Sequence, residues 1–116
     1  MEMTEIEEVV YELRKISKIL LFTNSNIIET ELTKFMVTDE RKKMWVLTDG
    51  IRMPKEIAKL VGVSTTSISR FLTLTVSVGL IEYEKGKPPI RVLDYAPSGW
   101  VELLNDTEAF VGSPED

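Results

Sequence analysis

A mainly α-helical chain with one small β-hairpin, α+β in class, is what three observations in these 116 residues predict. Residues 52–80 space their apolar side chains as two helices crossing at a tight turn around a single central glycine. Further stretches before and after them repeat apolar residues at helical intervals. Strand-like runs occur only at 80–84 and 90–95, on either side of Lys85-Gly86-Lys87-Pro88-Pro89.

Taken from the N-terminus, residues 4–22 form an amphipathic helix in which Ile6, Leu13 and Leu20 lie seven apart, as do Val9 and Ile16. This is a heptad seam. β-Branched residues at one core position and mainly leucine at the other suit a two-stranded coiled coil, so these five residues are the expected dimer contacts. The seam is under three heptads long and marginal by itself. Val10, Ile19, Leu21 and Phe22 widen it, which favours a helix packing on its own domain and on a second subunit at once. A monomer with the helix lying wholly over the core is the other reading.

Residues 23–26 are turn-like, and Ile27, Ile28, Leu32, Phe35 and Met36 then mark a second helix over 25–36. Thr38 or Asp39 can cap a third, with Met44, Trp45 and Leu47 inward and Asp49-Gly50 ending it. Arg41, Lys42 and Lys43 in its first turns are equally suited to phosphate contact and to a solvated face.

Pro54 suits the first turn of the fourth helix, where its missing N–H would have had no partner. Ile57, Ala58 and Val61 share its inward face, and Ala58 is small enough for a close crossing. Gly62 can take the left-handed conformation that stops the helix, Val63 plugs the turn, and Ser64 caps the fifth helix. Ile68, Phe71, Leu72 and Thr75 are its inner face. Outward stand Thr65, Thr66, Ser69, Arg70, Thr73 and Ser77, whose hydroxyls and guanidinium can hydrogen-bond to phosphates and base edges in a major groove. After the hairpin, Pro97 and Ser98 open a last helix to about Leu104, packing through Trp100, Leu103 and Leu104. Both tryptophans read as core, since each lies in an apolar helical stripe.

Composition bounds the function. The length fits one domain plus a short extension, and no apolar run approaches the roughly 18–20 residues of a membrane helix. The N-terminus is acidic rather than signal-like, so a cytoplasmic protein is expected. Cysteine and histidine are both absent, which removes disulfides, zinc fingers, thiol nucleophiles and imidazole acid–base chemistry. The six glycines are scattered and form no phosphate loop. No enzyme, catalytic residue, cofactor or metal site is expected.

The net charge of −5 opposes nucleic-acid binding until its distribution is considered. Residues 41–91 hold ten basic and four acidic side chains, a net of +6, and the remainder holds four and fifteen, a net of −11. A basic half with acidic flanks is the asymmetry of a nucleic-acid binder. Chance clustering on a solvated surface is the plainer alternative.

Ile57, Ala58, Val61, Gly62, Val63, Ile68 and Phe71 match the apolar and glycine positions of helix-turn-helix DNA-binding domains, and "GVSTTSISRFL" resembles their turn and recognition helix. GLIEYEKGKPPIRVLDYAPSGW, residues 79–100, looks like the tail of winged helix-turn-helix regulators of the MarR and ArsR types. ERKKMWVLTDG, residues 40–50, looks like the preceding helix in small archaeal and bacterial regulators. The likeness covers about 60 residues, and it implies a winged helix-turn-helix fold with an N-terminal helical extension.

It also implies a homodimeric transcriptional regulator on double-stranded DNA. The expected DNA contacts are Lys55, Lys59, Ser64, Thr65, Thr66, Ser69, Arg70 and Thr73, with Lys85, Lys87 and Arg91 on the wing. The expected organisation is a dimerising extension over 1–37, a DNA-binding domain over 38–105 and a flexible acidic tail over 106–116. No effector site is readable.

Two departures from the family stand out. Residues 73–78 carry no lysine or glutamate, and Leu74, Val76 and Val78 suggest a protein-facing surface or packing under the N-terminal helices; Glu82 and Glu84 beside the wing oppose phosphate. A winged helix used as a protein-interaction module in a transcription or chromatin assembly is therefore the second expectation.

Overall fold

The computed structural model describes residues 4–105, so the expected acidic tail lies outside the described residues. It contains six helices and a two-stranded antiparallel hairpin, α1 (Glu5–Thr23), α2 (Ser25–Thr33), α3 (Asp39–Leu47), α4 (Pro54–Val61), α5 (Thr65–Ser77), β1 (Ile81–Glu82), β2 (Ile90–Arg91) and α6 (Ser98–Asn105). The mainly helical class with a small hairpin is as the sequence predicts. Two compact units divide the chain between Thr33 and Lys34, four residues before the expected boundary.

In the first unit, α1 opens on a capping box: the Thr4 hydroxyl accepts from Glu7 N–H at 3.1 Å, and the Glu7 carboxylate accepts from Thr4 N–H at 2.9 Å. These bonds to the Thr4 backbone and side chain hold the Glu7 carboxyl below its ordinary value. Asn24 closes α1 by donating from its own backbone and from Nδ2 to the Leu20 carbonyl. No residue of α1 is buried. α2 stops at Thr33, short of the expected Met36.

The core of the second unit is built from Met44, Trp45, Leu47, Ile57, Ala58, Val61, Ile68, Phe71, Leu72, Ile81, Trp100 and Leu104. Thr38 caps α3 by accepting from Arg41 N–H at 3.1 Å. Trp45 is wholly buried and its indole N–H donates to the Tyr95 carbonyl at 2.9 Å, so the largest apolar side chain leaves no polar atom unpaired. α3 packs on α6 and on α4.

α4 begins with Pro54 at the expected place, and the Glu56 carboxylate accepts from Met53 N–H at 3.0 Å. It ends on Gly62, whose φ of 85° is the left-handed conformation expected of that glycine. The Ser64 hydroxyl accepts from Ser67 N–H at 3.1 Å and caps α5. Ile68, Phe71, Leu72 and Thr75 are buried, the four inward residues of the sequence reading. Thr75 is tolerated in the core because its hydroxyl donates to the Phe71 carbonyl at 2.8 Å. α5 stops at Ser77, where Leu80 N–H bonds to the Thr75 carbonyl at 2.9 Å around a left-handed Gly79.

The hairpin is shorter than the expected strands at 80–84 and 90–95. It pairs Ile81 with Arg91 and Glu82 with Ile90, and only the bond from Val92 N–H to the Leu80 carbonyl at 3.0 Å continues it. Pro88 and Pro89 supply no N–H to a ladder, which limits the pairing on the β2 side. β2 instead finds partners on its other edge. Gly50 N–H donates to the Pro89 carbonyl at 2.9 Å, and Arg91 N–H donates to the Thr48 carbonyl at 3.3 Å. Gly50 is at φ 84°, and a Cβ there would stand 2.9 Å from Ile90 Cδ1. No other residue fits that approach without strain.

Candidate nucleic-acid interface

The exposed side of α5 is set by what the helix buries. With Ile68, Phe71, Leu72 and Thr75 inside, the 3.6-residue period leaves Thr66, Arg70, Thr73 and Ser77 opposite them and Ser69 beside. All five are exposed, as are Ser64 and Thr65 at the helix start. The hydroxyls differ in what they have left to offer. Thr73 donates to the Ser69 carbonyl at 2.9 Å, and Ser77 to the Leu74 carbonyl at 2.6 Å. Thr65, Thr66 and Ser69 make no side-chain hydrogen bond within the described residues, so the N-terminal half holds the free donors.

Lys55 and Lys59 lie on the exposed side of α4, one turn apart. Among the described residues Lys55, Lys59, Arg70 and Lys85 have no ion-pair partner, leaving their full charge for an external anion. Arg70 shares a depression of about 290 Å³ with Arg41, Ser67, Thr38 and Glu40. α5 carries no acidic side chain.

Two expected contacts sit differently. Arg91 turns inward: its Nη1 donates to the carbonyls of Trp45 at 2.9 Å and Val46 at 2.7 Å, with the guanidinium 5.9 Å from the Trp45 ring centre. It satisfies carbonyls at the C-terminal end of α3, where the helix dipole also favours a cation. Burial lowers its pKa, opposed by Asp94 and Asp49, yet a guanidinium remains charged. Lys87 is exposed but pairs with Glu84 at 3.4 Å, a weak and screened contact. The basic triplet is divided as well. Arg41 donates to the Phe35 carbonyl at 3.0 Å and Lys42 lies 5.9 Å above the Trp100 ring, so their cations already have partners inside the unit.

A feature that the sequence does not announce runs along one flank of α5. Ile68, Leu72 and Val76 line a groove of about 550 Å³ together with Pro54, Lys55 and Tyr83, and the outward residues Thr65, Ser69, Thr73 and Ser77 border the same groove. Tyr83 is the only aromatic there; its position just beyond β1 was the available signal. Leu74, Val76 and Val78 were expected to make one surface. Val76 lines the groove, while Leu74, two residues away, is turned about 160° from it and half-buried. They are not a single patch.

The turn before α4 is fixed by Asp49. Burial raises its carboxyl, but N–H bonds from Ile51 at 2.9 Å and Arg52 at 3.2 Å, with an ion pair to the Arg52 guanidinium, hold it below its ordinary value. Arg52 is thereby used structurally. Among the described residues no group of carboxylates forms a metal site, and no helix is long and apolar enough to cross a membrane.

Compared with known protein families, curated proteins and solved structures, the chain matches none. Its chemistry must be read from its own side chains.

Proposed function

We propose that this protein is a sequence-specific double-stranded DNA-binding transcriptional regulator of winged helix-turn-helix type, acting as a homodimer. The observation that carries the reading is the exposed side of α5. Among the described residues it offers free hydroxyls at Thr65, Thr66 and Ser69 and an unpaired guanidinium at Arg70, with no carboxylate on the helix and Lys55 and Lys59 beside it. In this reading α5 enters the major groove, and the lysines of α4 meet flanking phosphates. The hairpin contributes mainly through Lys85. Arg70 reads guanine, because its forked donors match O6 and N7 together.

The test is selection of bound fragments from genomic DNA, followed by titration of a selected duplex at several salt concentrations. Affinity should fall steeply with salt, and Arg70→Ala should cost about 1–3 kcal/mol on the selected duplex while leaving the melting temperature unchanged. Equal affinity for wild type and variant would remove Arg70 from the interface.

The groove of Ile68, Leu72, Val76 and Tyr83 favours a second reading, a protein-interaction module within a larger transcription or chromatin assembly. Absence of DNA affinity even at low salt would select it.

A further inference from the structure

The outward hydroxyls of α5 do not meet a ligand on equal terms. Among the described residues Thr65, Thr66 and Ser69 keep theirs free, whereas Thr73 donates its hydroxyl proton to the Ser69 carbonyl at 2.9 Å, one turn back along the same helix. That donor is taken. Thr73 is nonetheless exposed, so what it still presents outward is chiefly its γ-methyl. Its flank of the helix is apolar as well. Thr73 borders the groove that Leu72 and Val76 line, and Val76, three residues further on, is 40% exposed.

The residue types missing from α5 narrow what the helix can read. In a major groove asparagine and glutamine match adenine through two hydrogen bonds, and a carboxylate accepts from the cytosine amino group. The helix sequence TTSISRFLTLTVS contains no asparagine, glutamine, aspartate or glutamate. What remains with a strong preference is arginine for guanine and apolar contact for thymine. Thymine alone carries a methyl on its major-groove edge, and setting that methyl against another removes apolar area from water on both sides. We infer that Thr73 is a specificity-determining residue of the DNA interface, reading a thymine through its γ-methyl.

Arg70 and Thr73 stand at i and i+3, neighbours on the helix surface, so both face the same stretch of groove. The Thr73 oxygen keeps lone pairs and could instead accept from an adenine or cytosine amino group. The two roles separate by substitution. Serine keeps the oxygen and drops the methyl, whereas valine keeps the methyl and drops the oxygen.

The inference rests on the DNA-binding reading of α5, and titrations of the full chain with the duplex recovered by genomic selection separate the two. Each thymine of the bound segment is replaced in turn by deoxyuridine, which removes only the C5-methyl. The quantity read is the ratio of affinities for the thymine and deoxyuridine duplexes on one protein, so any change in that protein's stability cancels. At one position the wild-type ratio should be about four, the effect of burying roughly one methyl-sized group. Thr73→Val should keep that ratio, and Thr73→Ser should bring it close to one.

Failure to recover any duplex overturns the DNA-binding reading and the inference with it. A wild-type ratio of one at every thymine overturns the inference and keeps the regulator, with the Thr73 oxygen or no group of Thr73 at the bases. A ratio that Thr73→Ser leaves unchanged assigns the thymine methyl to another residue and overturns it too. Loss of the ratio in Thr73→Val makes the contact depend on the hydroxyl, which also overturns it.

Discussion

Helices α1 and α5 are both amphipathic, yet they expose opposite sides. α5 spends its apolar residues inside its own unit, burying Ile68, Phe71, Leu72 and Thr75, and presents hydroxyls and one guanidinium outward. α1 buries nothing and presents isoleucine, valine and leucine. The difference sorts their partners by chemistry: a polar, carboxylate-free face suits a hydrated polyanion, and an apolar stripe suits another apolar stripe. It also sorts their energetics. Stability near α5 rests on contacts within its own unit, whereas no residue of α1 is buried.

The contrast breaks most sharply under matched truncations. Phe71→Ala should cost about 3–5 kcal/mol, since the ring is 1% exposed, and should lower the melting temperature at every protein concentration. Leu13→Ala should leave the melting of the second unit unchanged in dilute solution and reduce only the dimer mass. If Leu13→Ala destabilised the dilute chain as Phe71→Ala does, α1 would belong to an intramolecular core.

A smaller effect concerns Arg91, one of the charged residues expected on DNA. Arg91→Ala should destabilise the fold by about 1–3 kcal/mol by leaving the Val46 carbonyl without its side-chain donor and the Trp45 carbonyl with Thr48 N–H alone. Thermal melting measures that loss, and the salt slope of DNA binding should stay as in wild type. For Arg70→Ala the pattern reverses, with affinity lost and stability kept.

Acid should produce the smallest change and act on both regions. Glu7 at the start of α1 and Asp49 before α4 both titrate below their ordinary values. The stabilisation each gives is complete above its unfolded pKa, near 4, and is lost as pH falls through the lower folded value. Asp49→Asn should remove the contribution of the turn, about 0.5 kcal/mol or less after solvent screening, and flatten the acid limb of the stability curve of the second unit. An unchanged acid limb would show that this carboxylate is not held by the turn.

Much of the second unit is legible in the sequence because local rules and packing agree there. Pro54, Gly62 and Ser64 set the ends of α4 and the start of α5, and the 3.6-residue period names the four buried residues of α5. The outward hydroxyls and Arg70 follow from the same period. Arg91 was not legible, because a basic residue in a strand-like run next to a Lys-Gly-Lys-Pro-Pro tip carries no mark of the two α3 carbonyls that capture it. The groove was not legible either: it joins Pro54 of α4, Val76 of α5 and Tyr83 just beyond β1.

Taken alone, the sequence determined the helices and their faces, because capping, glycine conformation and apolar period act over a few residues. It also determined the division into a basic stretch and acidic flanks, which is a matter of composition. The tertiary structure decided which cations are free. Among the described residues Lys55, Lys59, Arg70 and Lys85 stand unpaired, while Arg41, Lys42, Arg52 and Arg91 are engaged within the chain. It decided the hairpin's length too, through the edge that Thr48 and Gly50 offer to β2. The physical reason is common to both: hydrogen bonds and charge pairs between distant residues depend on geometry that no local pattern encodes.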